Sequence, residues 1–355
     1  MGAEAALAVF GEAIRTRSAR LGDPLAFAHM DPPPLELAAQ LVGLNAAVNQ
    51  NLLHPEASPF ATTAERLVID WLAPVFGMSC GHLCAGSTLA NLTALWRARE
   101  AGARRVVTSA DAHVSVAKAA HIVGLPLETV PVDAAGRLDR SRLGEAGDAA
   151  VVLTAGTTGR GVIDALAPVA CRWLHVDAAW AGPMRLTRYG ARLDGIEAAD
   201  SVAISGHKWL YQPKDCALIL FRAADAQDAI SFGGSYLATP NVGVQGSRGA
   251  AAIPLLASLM ALGRRGMAAL IEKNMADAEE LAARIAADPR LQLRQMPEAG
   301  VLNWRPVHGA TADVLARLAG TSSRTLIDGT LWARQVAANP HADIDGIWAR
   351  IRAAL

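Results

Sequence analysis

The sequence predicts an α/β protein: a mostly parallel sheet covered by helices on both faces, followed by a small C-terminal α+β domain. Three observations carry this. From about residue 61, short apolar runs alternate with helical patterns, as in sheets whose crossovers are helices. The runs are apolar throughout, as strands buried on both faces are. Polar residues recur just past their carboxyl ends, where an open parallel sheet places its ligand. A length of 355 residues is enough for one large core, or a large domain with a smaller one.

The elements follow in order. The first twenty-one residues place Glu4 and Glu12 inside an apolar pattern, so they read as an amphipathic helix and lack a signal peptide's unbroken apolar core. HMDPPP (His29–Pro34) is extended, because consecutive prolines exclude helix. A helical stretch leads to an irregular loop, Asn49–Phe60. Helices are expected at Ala64–Phe76, Thr88–Ala101, Val114–Val123 and Asp164–Ala170. Strands are expected at Arg105–Ser109, Leu127–Val132, Val151–Thr154, Arg172–Val176, Val202–Ser205 and Ala217–Phe221. A long helical region covers about Ala250–Ala287; Pro254 and Arg264–Arg265 interrupt it, so it reads as a buried helix rather than a membrane span. Strands at Leu291–Gln295, Val301–Arg305 and Thr330–Ala337 and a helix at Ile344–Ala354 close the chain. The domain reading is 1–60 (helix and extended segment), 61–287 (large domain) and 288–355 (small domain).

Composition excludes several classes. Formal net charge is 0 and no Lys/Arg cluster stands out, which argues against a nucleic-acid partner. Cys80, Cys84, Cys171 and Cys216 form no disulfide framework, which favours a reduced, cytoplasmic setting. CGHLC (Cys80–Cys84) invites a zinc reading, but no second Cys/His pair of matching spacing accompanies it, so no metal is expected. AGTTGRG (Ala155–Gly161) lacks dinucleotide glycine spacing, and no GxxxxGK[ST] occurs.

At the strand ends stand His113, Thr157, Asp177, and His207 beside Lys208, while Gly86–Ser87–Thr88 opens a helix as an anion cradle. One cofactor needs these groups together. Pyridoxal phosphate takes a lysine for its aldehyde, a carboxylate that keeps its ring nitrogen protonated, a phosphate cradle and a flat group against the ring. Lys208, Asp177, Gly86–Thr88 and His113 supply them. Lysine is rarely buried unpaired; burial here helps keep the amine reactive. Each residue also has a plain structural use: Asp177 as a strand-end cap, His113 as a satisfied histidine, Ser87 and Thr88 as helix caps.

The sequence resembles the pyridoxal-phosphate-dependent group II amino-acid decarboxylases, from about Phe27 to the end. HVDAAWAG (His175–Gly182) resembles the family's strand with the ring-nitrogen aspartate, Ala179 lying under the ring. SGHKW (Ser205–Trp209) resembles its lysine motif, with His207 near the phosphate. AGSTLANLTAL (Ala85–Leu95) is similar to its phosphate-binding helix start, and AHVSVAKAA (Ala112–Ala120) to the segment whose histidine stacks on the cofactor. TAGTTGRGVID (Thr154–Asp164) and Asn49–Glu65 resemble its Gly-Thr-Thr turn and the segment lining the substrate entrance.

The resemblance implies the type I pyridoxal-phosphate fold, with a seven-stranded sheet, and a homodimer with sites at the subunit interface. It implies decarboxylation of an L-amino acid to an amine. Cofactor contacts are expected from Ser87, Thr88, Asn91, His113, Thr157, Asp177, Ala179, Ser205, His207, Lys208 and, toward the neighbouring subunit, Ser247. Arg334 is a candidate for the substrate carboxylate or an ordinary solvated arginine; His29 and Asp31 line the substrate pocket or serve a turn beside the prolines.

Three departures stand out. The family's N-terminal helical segment is expected to be mostly absent. Leu89 stands where the family usually has a carboxylate. The stretch Leu237–Arg248 is short and lacks the tyrosine of the family's mobile loop, which leaves Tyr236, His207 or His113 as proton donor. The short loop keeps open oxidative decarboxylation to an aldehyde, transamination or a lyase reaction, and a non-catalytic cofactor-binding homologue is the reading from another class.

Overall fold

In the computed structural model, which describes residues 1–355, the chain opens with α1 (Ala3–Arg17), where no residue is buried, and α2 (Glu36–Val48), where only Ala38 is. α3 (Pro59–Leu72) begins on a proline, which a helix accepts at its first position because that N–H has no partner anyway. The helix expected from Ala64 therefore starts earlier, and Ala73–Phe76 tightens into a 3₁₀ turn. Then come β1 (Cys80–Cys84), α4 (Ser87–Glu100), β2 (Arg105–Ser109), α5 (Val114–Ile122), β3 (Leu127–Val130), β4 (Ala146–Thr154), β5 (Cys171–Asp177), β6 (Ser201–Ser205) and β7 (Ala217–Phe221). A short ribbon, β8 (Ser231–Phe232) with β9 (Asn241–Val242), precedes α6 (Ala252–Ala287). β10 (Leu291–Leu293), β11 (Val301–Pro306), α7 (Thr311–Arg317), β12 (Ser323–Ile327), β13 (Thr330–Val336) and α8 (Ile344–Ala354) complete the chain.

The large sheet has seven strands in the order β1-β7-β6-β5-β4-β2-β3. Strands β2 to β6 run parallel to one another; β7 and β1 are antiparallel to their neighbours. Successive side chains leave a strand on opposite faces, and β4 divides accordingly. Val151 and Leu153 join a core with Val68 of α3 and Leu255 of α6. Ala150 and Val152 join another with Leu95 of α4 and Val116 of α5. Both faces are thus covered, as the apolar runs predict.

Two readings need correction. CGHLC, where no strand was expected, is the edge strand β1 paired with β7 and brings the sheet to seven strands. Asp164–Ala170 is not a helix. The Asp164 carboxylate accepts the main-chain N–H groups of Leu138 (2.7 Å) and Thr154 (2.8 Å), and Pro168 follows, so the segment is pinned as a loop.

α6 is long and apolar enough to cross a membrane, but Leu255, Ile271 and Met275 are buried in the core. It breaks at Gly263, whose φ of 59° lies in the left-handed region that glycine tolerates. Beyond it, β10-β11-β13-β12 form an antiparallel sheet packed on α8. Phe27 plugs this small unit and its carbonyl accepts from Val336 N–H at 2.8 Å. Two indoles join the large and small units. Trp180 and Trp209 meet with ring centroids 4.3 Å apart; Trp180 Nε1 donates to Ala299 O (2.6 Å) and Trp209 Nε1 to Ala337 O (3.0 Å).

Candidate active site

The ends of β5 and β6 bring Asp177 and Lys208 to one place. Parallel pairing sets Asp177 beside Ala203, and Ala178 N–H donates to Ala203 O at 3.0 Å. Beyond β6 the chain turns sharply; His207 N–H reaches Cys216 O (3.1 Å) and Tyr211 N–H closes on Lys208 O (2.8 Å). Burial pushes the Lys208 amine below its ordinary pKa, with Asp177 and Asp31 pulling the other way. Asp177 is buried, and its carboxylate accepts from Asn91 Nδ2 (2.9 Å) and Ala179 N–H (3.1 Å).

His113 caps α5. Its Nδ1 accepts from Ser115 N–H (3.2 Å) and meets Ser115 Oγ at 2.7 Å. Burial holds its pKa below the ordinary value, Asp177 opposing. Gly86 begins α4 with φ 99°, a conformation glycine adopts freely, and a Cβ there would lie 3.8 Å from His207 Cε1. Ser205 Oγ donates to Ser87 Oγ at 3.0 Å beside them. His207 Nδ1 is buried with no partner, and burial pushes that imidazole down to about 4. An orphaned ring nitrogen, two hydroxyls and the open first turn of a helix make a set that fits a phosphate. With Lys208 for an aldehyde, Asp177 for a ring nitrogen and His113 for a ring face, the residues fit pyridoxal phosphate.

The remaining candidates divide. Ala179 is buried beside Asp177, and Thr157 is buried in its turn, its hydroxyl accepting from Val162 N–H (3.3 Å). Thr88 is exposed. Asn91 lies behind Asp177 rather than in the cradle. Ser247 accepts from Asn51 Nδ2 (3.1 Å) and lines, with Ala85, Lys214 and Gln245, a cavity of about 390 Å³ flanking the cradle. Arg334 is not solvated: it is 7% exposed, and Nε donates to Thr158 O (2.7 Å) while Nη1 reaches Ser323 Oγ (3.1 Å) and Ala28 O (3.3 Å). Burial brings its pKa down to about 10, Asp31 opposing. Asp31 pairs with Lys214, and His29 is exposed. Tyr236 is 71% exposed on the β8–β9 connection, its ring 6.4 Å from that of His54; no hydrogen bond joins it to the Lys208 cluster.

Sequence reasoning missed His175, Ser115 and Ser201, which hold Asn91 and His113 from behind. The signal available was strand alternation: His175 shares a face with Asp177 two residues on. It also missed the ion pair of Arg248 with Glu65, in which Nη2 meets Oε1 at 2.7 Å, anchoring the segment after β9 to α3.

The model of the pyridoxal-dependent decarboxylase conserved domain matches residues 23–305. An L-2,4-diaminobutyrate decarboxylase of Rhizobium meliloti (strain 1021) is 33% identical over 346 residues, 86% of this chain and 70% of that protein. A probable L-aspartate decarboxylase of Halobacterium salinarum is 36% identical over 272 residues, 69% of this chain and 76% of that protein. The structure of the glutamate decarboxylase domain of diaminobutyrate-pyruvate transaminase and L-2,4-diaminobutyrate decarboxylase from Vibrio parahaemolyticus superposes with a TM-score of 0.88 at 23% identity, covering 100% of this chain and 85% of that one. The chain belongs to the pyridoxal-dependent decarboxylase family and has the type I pyridoxal-phosphate fold. It is a carboxy-lyase that uses pyridoxal phosphate to decarboxylate an amino acid.

Proposed function

We propose that the reaction converts an L-amino acid to an amine and carbon dioxide at the cluster of Lys208, Asp177 and His113. The observation that carries this reading is a buried amine and a buried carboxylate at adjacent strand ends, beside a phosphate-shaped cradle. Bound pyridoxal phosphate supplies a conjugated ring that accepts the electron pair left at Cα when carbon dioxide departs. Lys208 would hold the cofactor through its aldehyde. Asp177 would keep the proton on the ring nitrogen, and His113 and Ala179 would pack against the ring. Ser87, Ser205, His207 and the first turn of α4 would take the phosphate, with Thr88 and Thr157 at its margin, while Asn91 holds Asp177 from behind. Arg334 has its Nε and Nη1 committed, which orients Nη2 for the substrate carboxylate. Asp31 and Lys214 pair in the neighbourhood of Lys208 and meet the substrate side chain, with His29 beside them.

We further propose a cytoplasmic homodimer. α1 exposes Leu7, Phe10 and Ile14, and a helix of this length with nothing buried is marginal alone in water. Residues 61–287 act as the cofactor unit and 288–355 as the unit supplying Arg334, with 1–60 bridging. Ser247 and Tyr236 reach the site of the neighbouring subunit, where Tyr236 returns a proton to Cα. Borohydride reduction of the loaded protein followed by peptide mapping tests the core of this reading. The pyridoxyl group is expected on Lys208; label on Lys118 or Lys214 instead would overturn it. Carbon dioxide, amine, aldehyde and peroxide measured with each of the standard amino acids, and with 2,4-diaminobutyrate, identify the substrate and separate decarboxylation from oxidation.

A further inference from the structure

Behind the site runs a buried chain of hydrogen bonds in which each hydrogen has one direction. Its far end is the Trp173 indole, which can only donate and gives its N–H to Ser201 Oγ at 2.9 Å. Ser201 Oγ lies 2.8 Å from His175 Nδ1 and, with the indole hydrogen on one lone pair, is free to turn its own hydrogen toward that nitrogen. The near end is Asp177, which as a carboxylate can only accept. Asn91 Nδ2 gives it one hydrogen at 2.9 Å and gives the other to Ser115 Oγ at 2.8 Å. This orientation turns Asn91 Oδ1 to His175 Nε2, 3.0 Å away, so Nε2 carries the imidazole hydrogen. Ser115 then donates to His113 Nδ1 at 2.7 Å, leaving the hydrogen of that ring on Nε2. The Asp177 end dictates this His175 tautomer, and the Trp173–Ser201 end is compatible with it.

The geometry points to His175, Asn91, Ser115 and Ser201 as positioning residues that hold Asp177 as a carboxylate and His113 as the neutral Nε2–H tautomer. The inference rests on the role proposed above for Asp177 at the cofactor ring nitrogen. Trp173, Ser201, His175, Asn91 and Ser115 are all buried, so water does not compete for any link. Burial drives the His175 pKa down to about 4 against the pull of Asp177 and of the Ser201 main-chain carbonyl, while Asn91 on α4 and the Ser201 hydroxyl on β6 face it uncharged. The ring therefore stays neutral near pH 7. Ser201 O also lies 3.1 Å from His175 Nδ1, the acceptor that would take over if the hydroxyl were removed.

That alternative supplies the test. In ¹⁵N-histidine-labelled, cofactor-free protein, His175 and His113 are expected as neutral Nε2–H tautomers at pH 7, assigned with His175→Gln and His113→Gln. In Ser201→Ala, His175 should move its hydrogen to Nδ1 and donate to the main-chain carbonyl. Asn91 must then turn its amide over, and Asp177 loses one donor. Turnover of the loaded variant should fall about 10- to 100-fold, the worth of one charge-assisted hydrogen bond. KM should change by less than about threefold, since substrate binding is not touched. Ser201→Thr keeps a hydroxyl and should restore both readouts. A wild-type His175 found cationic or as the Nδ1–H form overturns the inference. So does a Ser201→Ala variant in which tautomer and turnover do not change together. If that variant does not fold, Trp173→Phe frees the Ser201 hydroxyl and should leave His175 in both tautomers; a single unchanged form overturns the chain. Wild-type protein without turnover on any amino acid would overturn the functional reading, while the cofactor-free tautomers still decide the chain.

Discussion

Acidification should unfold the cofactor-free protein through three histidines. Burial holds His82 near 3 and His175 and His207 near 4. The surroundings agree: Gln227 Nε2 donates to His82 Nδ1 at 2.9 Å, a contact that a proton on that nitrogen would destroy. Each folded pKa lies below the unfolded value of about 6.5. Between about pH 4 and 6.5 the unfolded chain therefore binds protons that the folded chain refuses, and stability falls as pH falls. Integrated from pH 7 to pH 5, each group contributes about 2 kcal/mol, or about 6 kcal/mol together, against a typical total of about 5–15 kcal/mol. Asp164 and Asp277, raised by burial, work in the opposite sense and reduce the net effect. A variant separates the two: His82→Gln should lose about 2 kcal/mol of the difference between urea denaturations at pH 7 and pH 5. Equal pH dependence in variant and wild type would refute the claim that His82 is neutral and buried in the folded state.

Asp177→Asn should keep the cofactor but lose about a thousandfold in turnover. A unit charge at ~4 Å and an effective dielectric constant of ~20 is worth about 4 kcal/mol, and each 1.4 kcal/mol is about a factor of ten; carbon dioxide release within about tenfold of wild type would contradict the role. Lys208→Met should raise the melting temperature of the cofactor-free protein at pH 7, because the buried amine's lowered pKa makes wild-type stability rise with pH from that value toward about 10.4; an unchanged pH slope in the variant would count against a buried, strained amine. Leu7→Glu with Phe10→Glu should halve the mass seen by light scattering, and an active wild-type monomer would rule out the proposed interface. Tyr236→Phe should slow amine formation more than it weakens cofactor binding and should raise the share of aldehyde or ketone; unchanged rate and products would assign the proton to another group.

The site was legible where its chemistry sits on regular structure. Lys208 and Asp177 follow apolar strands, and a parallel sheet gathers its strand ends, so two distant motifs could be placed together from the sequence. Closing the chain with α8 at Ile344–Ala354 worked because its apolar period is strong and Asp343 caps it. Sequence order did not show what depends on pairing. CGHLC is polar enough to pass for a loop, and only its register with the apolar β7 makes it a strand. Ser323–Ile327 was overlooked for the same reason: three of its residues are polar, and β13 supplies its partners. Asp164 looked like the start of a helix, a common position for Asp, but its carboxylate is taken by Leu138 and Thr154. Arg334 could not be told from a surface arginine until the carbonyls of Thr158 and Ala28 were seen to converge on it.

The indoles of Trp180 and Trp209 follow the cofactor-site residues closely in sequence, and each donates to a carbonyl beyond α6. The turns after β5 and β6 and the C-terminal sheet are therefore riveted at two points. Swinging the small unit outward as a rigid flap would break two buried donor bonds and pull two packed rings away from their neighbours, a cost of several kcal/mol. On the proposed reading of the site, substrate would enter not by hinge opening but by side-chain movement near Asp31 and Lys214, where an exposed ion pair separates cheaply.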